Sequence, residues 1–124
     1  MNKIEAIAQK RREAHQQLLS MKSRTYKAFL EMEKATYSDG ALSKKVKELM
    51  AAGISVVINC ESCMEWHIRQ AAKAGAFLNE VLEAIEVGIE MGGGPDTVSA
   101  RFALDVMQDV FGSMPDGRNV DESA

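Results

Sequence analysis

The chain is short of aromatic residues, basic charge and long uncharged runs, and each shortage narrows what it can be. Aromatics make up 6% of the 124 positions. Strands draw on aromatic and β-branched side chains, so a composition this poor in aromatics and rich in Ala, Leu, Met and Glu favours helices. The formal net charge is −3, whereas a nucleic-acid partner is normally met by a basic face. The one basic cluster, Lys10-Arg11-Arg12, is followed by Glu13 and reads as a solvated helix face. The longest stretch without a charge, Leu49 to Cys60, holds twelve residues, and a bilayer needs about 20. Met1 to Glu13 alternates charges with single hydrophobes and has no apolar run of the secretory kind. These features predict a cytoplasmic protein with neither a membrane nor a nucleic-acid partner.

Cysteine is also scarce. The only two, Cys60 and Cys63, lie three positions apart. Disulfides are rare in the cytoplasm unless they are catalytic or sensing, and a pair this close cannot tie distant segments together.

What is present is enough apolar material for one folded unit. Hydrophobic residues make up 46% of the sequence, and a chain of this length buries a core without staples. Ile4 to Leu19 reads as a polar, weakly amphipathic helix, and Ser23 to Thr36 as a second. Ser38-Asp39-Gly40 is a turn signal. Ser43 is an N-cap for a third helix, in which Val46, Leu49, Met50, Gly53, Ile54, Val57 and Ile58 recur at helical spacing. From Ala51 onward that helix is apolar nearly all round, which predicts a central position. A fourth helix begins near Cys60 and stops at Gly75. Asn79 is read as the cap of a fifth, whose Gly88 falls on the apolar stripe and marks a close helix contact. Gly92-Gly93-Gly94-Pro95 breaks the chain before a last helix from about Asp96 to Phe111, and a polar, frayed tail follows Gly112. The expected fold is all-α, a compact bundle of about five to six helices in a single domain over 1–124.

The fourth helix carries the chemistry. Cys60, Cys63 and His67 share a face with Met64, Ile68, Ala71 and Ala72, since at 3.6 residues per turn Cys63 and His67 are offset by about 40° and Cys60 and His67 by about 20°. That face is expected to point inward, and the opposite one, with Glu61, Glu65, Arg69 and Lys73, toward water. The spacing of the cysteines permits a disulfide. The helix N-terminus favours a thiolate, which makes the thiol a nucleophile near neutral pH. His67 lies one turn below Cys63, about 6 Å along the axis, where it can remove the thiol proton directly or through a water. Cys63 is therefore read as the attacking thiol and Cys60, nearer the helix end, as the resolving one. A third group should orient the histidine. Glu48 lies off the main stripe of its helix, on a face with Ala52, Ser55 and Asn59, and by pattern alone a solvated glutamate is the commoner outcome.

Glu48, Cys60-x-x-Cys63-x-x-x-His67 and the following Gly75-Ala76 resemble the alkylhydroperoxidase D-like branch of the carboxymuconolactone decarboxylase family. Asp39-Gly40-Ala41-Leu42-Ser43 and Gly92-Gly93-Gly94-Pro95 are also similar to its small members. The resemblance spans about 39–111, leaving 1–38 as a helical extension and 112–124 as a tail. It implies a homotrimer or homohexamer and a peroxidase or thiol-disulfide activity without metal or other cofactor. It also implies that the second cysteine attacks the peroxide, with Glu48 and His67 as a proton relay. Some members carry a histidine just before the second cysteine, where this chain has Ser62, which implies a shorter relay.

The partners expected from this reading are a small hydroperoxide, met in a small apolar pocket, and an external dithiol or disulfide reductant. Three alternatives stay open. One is a lactone decarboxylase-like enzyme on the same fold, although members of that kind generally lack the thiol pair. Another is a zinc site on Cys60, Cys63 and His67, and the third is an oligomer whose disulfide senses redox state. Trp66 lies off the stripe and is read as a subunit contact, His15 as a surface residue, and the methionines as mostly core filler.

Overall fold

The computed structural model of the protein describes residues 1–112, which form six helices and, among these described residues, no strand. They are α1 (Lys3–Ser20), α2 (Arg24–Tyr37), α3 (Lys44–Val57), α4 (Glu61–Lys73), α5 (Leu78–Gly92) and α6 (Gly94–Phe111). The tail expected after Gly112 lies outside the described residues. No described helix is long and apolar enough to cross a membrane.

Local chemistry accounts for the boundaries. The side chains of Asn2, Ser23 and Ser43 accept the backbone N–H of Glu5, Tyr26 and Val46, so each of the first three helices starts on a polar N-cap. Gly75, at a φ of 99°, takes the left-handed conformation that ends α4. The start of α5 departs from expectation. Phe77, not Asn79, is the cap residue, and the Glu80 carboxylate reaches back 2.9 Å to accept the Phe77 N–H. An acid three residues into the helix does the work expected of a polar cap, so the helix begins earlier. Likewise α6 begins at Gly94 rather than Asp96, because Gly93 alone, at a φ of 76°, absorbs the reversal between α5 and α6.

The core is a four-helix layer of α3 to α6, with α3 packed on α4 and α5, and α6 closing over both. Val56, Met64, Ile68, Val81, Ile85, Val106 and Met107 are buried there, each worth about 1.5–3 kcal/mol in apolar area removed from water. The contact marked by Gly88 is a backbone crossing. A Cβ on Gly88 would sit 2.6 Å from the Gly53 carbonyl oxygen, and one on Gly53 would sit 2.7 Å from that of Ala84. The two glycines thus let α3 and α5 touch main chain to main chain.

α3 is central, as its apolar character predicts, yet it is not buried all round. Met50, Ile54 and Val57 join Val87 and Met91 of α5 in an apolar groove of about 350 Å³ on the surface, and Ile54 is 56% exposed. α1 lies across α4, while α2 buries no residue and packs chiefly on α1 and α3.

Candidate active site

The connection between α3 and α4 sets the position of the cysteines. Asn59 adopts a left-handed conformation at a φ of 52°, which Asn tolerates better than most residues. Its N–H bonds to the Val56 carbonyl, and the next N–H, of Cys60, bonds back to Ser55. This paired closure satisfies the last carbonyls of α3 and turns the chain within one residue. The Ser99 hydroxyl of α6 lies 2.8 Å from the Val56 carbonyl oxygen and 3.0 Å from Asn59 Oδ1, pinning the turn to the core. Cys60 is thereby the N-cap of α4, and its sulfur accepts the Cys63 N–H at 3.2 Å. The two cysteines, with Cα atoms 5.2 Å apart, are joined as a disulfide.

The interior face of α4 is narrower than its sequence pattern suggests. Met64, Ile68 and Ala71 are fully buried, whereas Cys60, Cys63 and His67 are half-buried along the edge of that stripe. Both cysteines therefore keep some contact with solvent. The face expected to be wet is also partly buried. Glu65 is 0% exposed, held by Arg69 Nε at 3.1 Å and by the Arg11 guanidinium. Arg11, read in sequence as part of a solvated face, crosses to Glu65 because α1 packs on α4, and it also covers the Trp66 ring at 4.7 Å. His15 is half-buried and bonded to the Tyr26 hydroxyl.

Glu48 is only 1% exposed. Its Oε1 lies 2.7 Å from His67 Nδ1 and its Oε2 lies 3.2 Å from Lys44 Nζ. The solvated alternative for Glu48 is thus excluded: the α3–α4 packing brings it against the imidazole. A carboxylate can only accept, so Nδ1 carries the proton and donates it to Glu48, and in the neutral imidazole Nε2 is then the acceptor. His67 is one turn from Cys63 on the same side of α4, the register in which side chains meet. The relay residues named from the sequence are therefore assembled in one place.

Two neighbours were not singled out from the sequence. The Tyr37 ring, at the end of α2, stacks on His67 with centroids 5.2 Å apart. Its hydroxyl is held above the ordinary phenol range, by burial first and then by the negative charges of Glu48 and Glu33. Lys44 Nζ lies 5.8 Å from the Tyr37 ring centroid. The four-residue spacing of Lys44 and Glu48 is a legible helix pair, but nothing in a sequence brings α2 to α4. A hollow of about 270 Å³ reaches Glu48 from the α2 side, between Tyr37, Trp66, Lys44 and Gln70. Its lining combines apolar surface from Leu30, Tyr37 and Trp66 with the charged Glu33 and Lys34 of α2. Among the described residues, no three His, Cys, Asp or Glu side chains cluster as metal ligands would.

Residues 23–106 match the model of the carboxymuconolactone decarboxylase family. The chain is 37% identical over 86 residues to protein 4 of the cox locus of Paracoccus denitrificans, covering 69% of this chain and 78% of that one. It is 39% identical over 77 residues to a protein of Cupriavidus necator, covering 62% and 68%. Among solved structures, a carboxymuconolactone decarboxylase family protein from Legionella pneumophila, in its apo form, superposes with a TM-score of 0.83 at 28% identity, over 89% of this chain and 98% of that one. A family member from Thermotoga maritima, for which a part in the antioxidative response has been suggested, superposes with a TM-score of 0.78 at 27% identity, over 86% and 91%.

Proposed function

The chain belongs to the carboxymuconolactone decarboxylase family, and from that premise we propose that it is a thiol-dependent peroxidase that reduces organic hydroperoxides through Cys60 and Cys63. The observation that carries this reading is the buried Glu48 carboxylate bonded to His67 Nδ1, one helix turn from a cysteine already paired with its neighbour. In the reduced protein, His67 Nε2 takes the Cys63 proton, and Glu48 stabilises the imidazolium that forms. The Cys63 thiolate attacks the outer oxygen of the hydroperoxide, the O–O bond breaks, and the leaving alkoxide takes the proton from His67 to become an alcohol. Cys63 is then a sulfenic acid. The Cys60 thiol displaces its hydroxyl as water and closes the disulfide. An external dithiol reduces that disulfide by exchange and is itself oxidised, which completes the cycle.

The thiol pair speaks against lactone decarboxylation as the activity of this member, and the suggestion made for the Thermotoga maritima relative points the same way. A reducing cytoplasm suits the cycle, because an external dithiol must be on hand. The apolar groove between α3 and α5 supports assembly as a homotrimer or homohexamer, since monomers rarely leave such a surface uncovered.

Steady-state loss of an alkyl hydroperoxide in the presence of excess dithiothreitol tests the proposal. It should proceed in the wild type and stop in Cys63→Ser, whereas in Cys60→Ser dithiothreitol itself must resolve the Cys63 sulfenic acid and the turnover should be slower. If the wild type oxidises dithiothreitol with a small disulfide but not with the hydroperoxide, the activity is disulfide exchange instead.

A further inference from the structure

Glu48 has two buried oxygens and gives them to different partners, one to His67 and the other to Lys44. A carboxylate taken out of water needs a compensating charge. A carboxylate whose only partner is a histidine favours the imidazolium, and an imidazolium has no lone pair with which to accept the Cys63 proton. Lys44 supplies a second, fixed positive charge. It is the first residue of α3, one turn before Glu48, and the Ser43 cap sets that turn. Its ammonium stands between Glu48 and the face of the Tyr37 ring, which itself stacks on His67.

We infer that Lys44 is a positioning residue that sets the proton affinity of His67, competing with the imidazole for the charge of Glu48 and so keeping the resting imidazole neutral, with Nδ1 protonated and Nε2 free. The inference rests on the relay role proposed for Glu48 and His67. The other charged or titratable groups at this pair are Tyr37, Glu33 and Lys34 from α2. Tyr37 stays a neutral phenol at neutral pH, and Glu33 and Lys34 oppose each other in sign. Lys44 is the one cation in hydrogen-bond contact with Glu48 among the described residues.

The test is an NMR titration of the two histidines in the full-length, disulfide-bonded protein, where no thiol titrates. His15, bonded to Tyr26 and remote from Lys44 in the chain, is the internal reference. Lys44→Gln should move the titration midpoint of His67 upward by about half a pH unit or more, a modest figure because the lysine is partly exposed. Lys44→Met should do the same and provides a second route should the first variant fold poorly, while Lys44→Arg should stay near the wild type. An unchanged or lowered midpoint in the Gln and Met variants overturns the inference. The readout involves no peroxide. A shifted midpoint in a protein inert to hydroperoxide keeps the Lys44 assignment and removes the peroxidase reading, and an active peroxidase with an unmoved midpoint does the reverse.

Discussion

Two glutamates are buried among the described residues, and they are held in opposite ways. Glu65 sits between α1 and α4 with two guanidiniums on it, from Arg11 and Arg69, and Arg69 reaches on to Asp109 of α6 at 2.9 Å. Glu48 sits between α3 and α4 with an imidazole and an ammonium. Arginine does not lose its proton in a protein, so the Glu65 cluster has one charge state and can only hold helices together. Histidine changes charge near neutral pH, so the Glu48 cluster can pass a proton. Both carboxylates are equally hidden, and what separates a structural site from a chemical one is whether the partner titrates and what lies beyond it. Beyond His67 lies Cys63. Beyond the arginines lie Asp109, the Trp66 ring and solvent.

The contrast predicts which property each substitution damages. Glu48→Gln keeps the shape but removes the charge that supports the imidazolium, and it should lower the rate of hydroperoxide reduction by about 100-fold or more, with little change in thermal unfolding. Glu65→Ala should do the opposite. It should cost about 2–4 kcal/mol in denaturant unfolding, less than for a fully sealed pair because both arginines reach solvent, while the folded fraction keeps its activity. Equal loss of activity and stability in both variants would erase the distinction.

Gly88→Ala, placed away from either glutamate, should cost about 1–3 kcal/mol through the crowded crossing with Gly53, despite the better helix propensity of alanine. Tyr37→Phe is expected to be mildest, changing the rate near pH 7 by less than about threefold, because the hydroxyl carries no charge there. Its signature lies at high pH. A phenol held above its ordinary range in the fold ionises first in the unfolded chain, so the stability it supports is complete below about pH 10 and falls as the pH rises through the folded value. The wild type should therefore lose more stability above pH 10 than Tyr37→Phe does.

The same contrast separates what could be read in the sequence from what could not. Cys60, Cys63 and His67 lie on one helix, where the 3.6-residue period carries the relation, and Ser43, Gly75 and Gly88 mark caps and a contact by local rules. Glu48 needed the family resemblance, since its own helix pattern leaves it off the apolar stripe. Glu65 was misread because its four-residue spacing from Arg69 looks the same on a wet face as on one covered by α1. Tyr37 and Arg11 depend on how α2 and α1 cross α4, and weakly amphipathic helices carry little record of that crossing. Phe77 as a cap was hidden because the capping group is Glu80, three residues downstream.

The most direct measurement is on reduced Cys60→Ser, exposed to one equivalent of an alkyl hydroperoxide and then to dimedone, with intact mass as the readout. With no resolving thiol, Cys63 should hold a sulfenic acid and gain a single dimedone adduct, and Glu48→Gln in the same background should gain it far more slowly. An unmodified Cys63 beside a consumed hydroperoxide, or no reaction at all at neutral pH, would contradict the assignment of Cys63 as the attacking thiol served by Glu48 and His67.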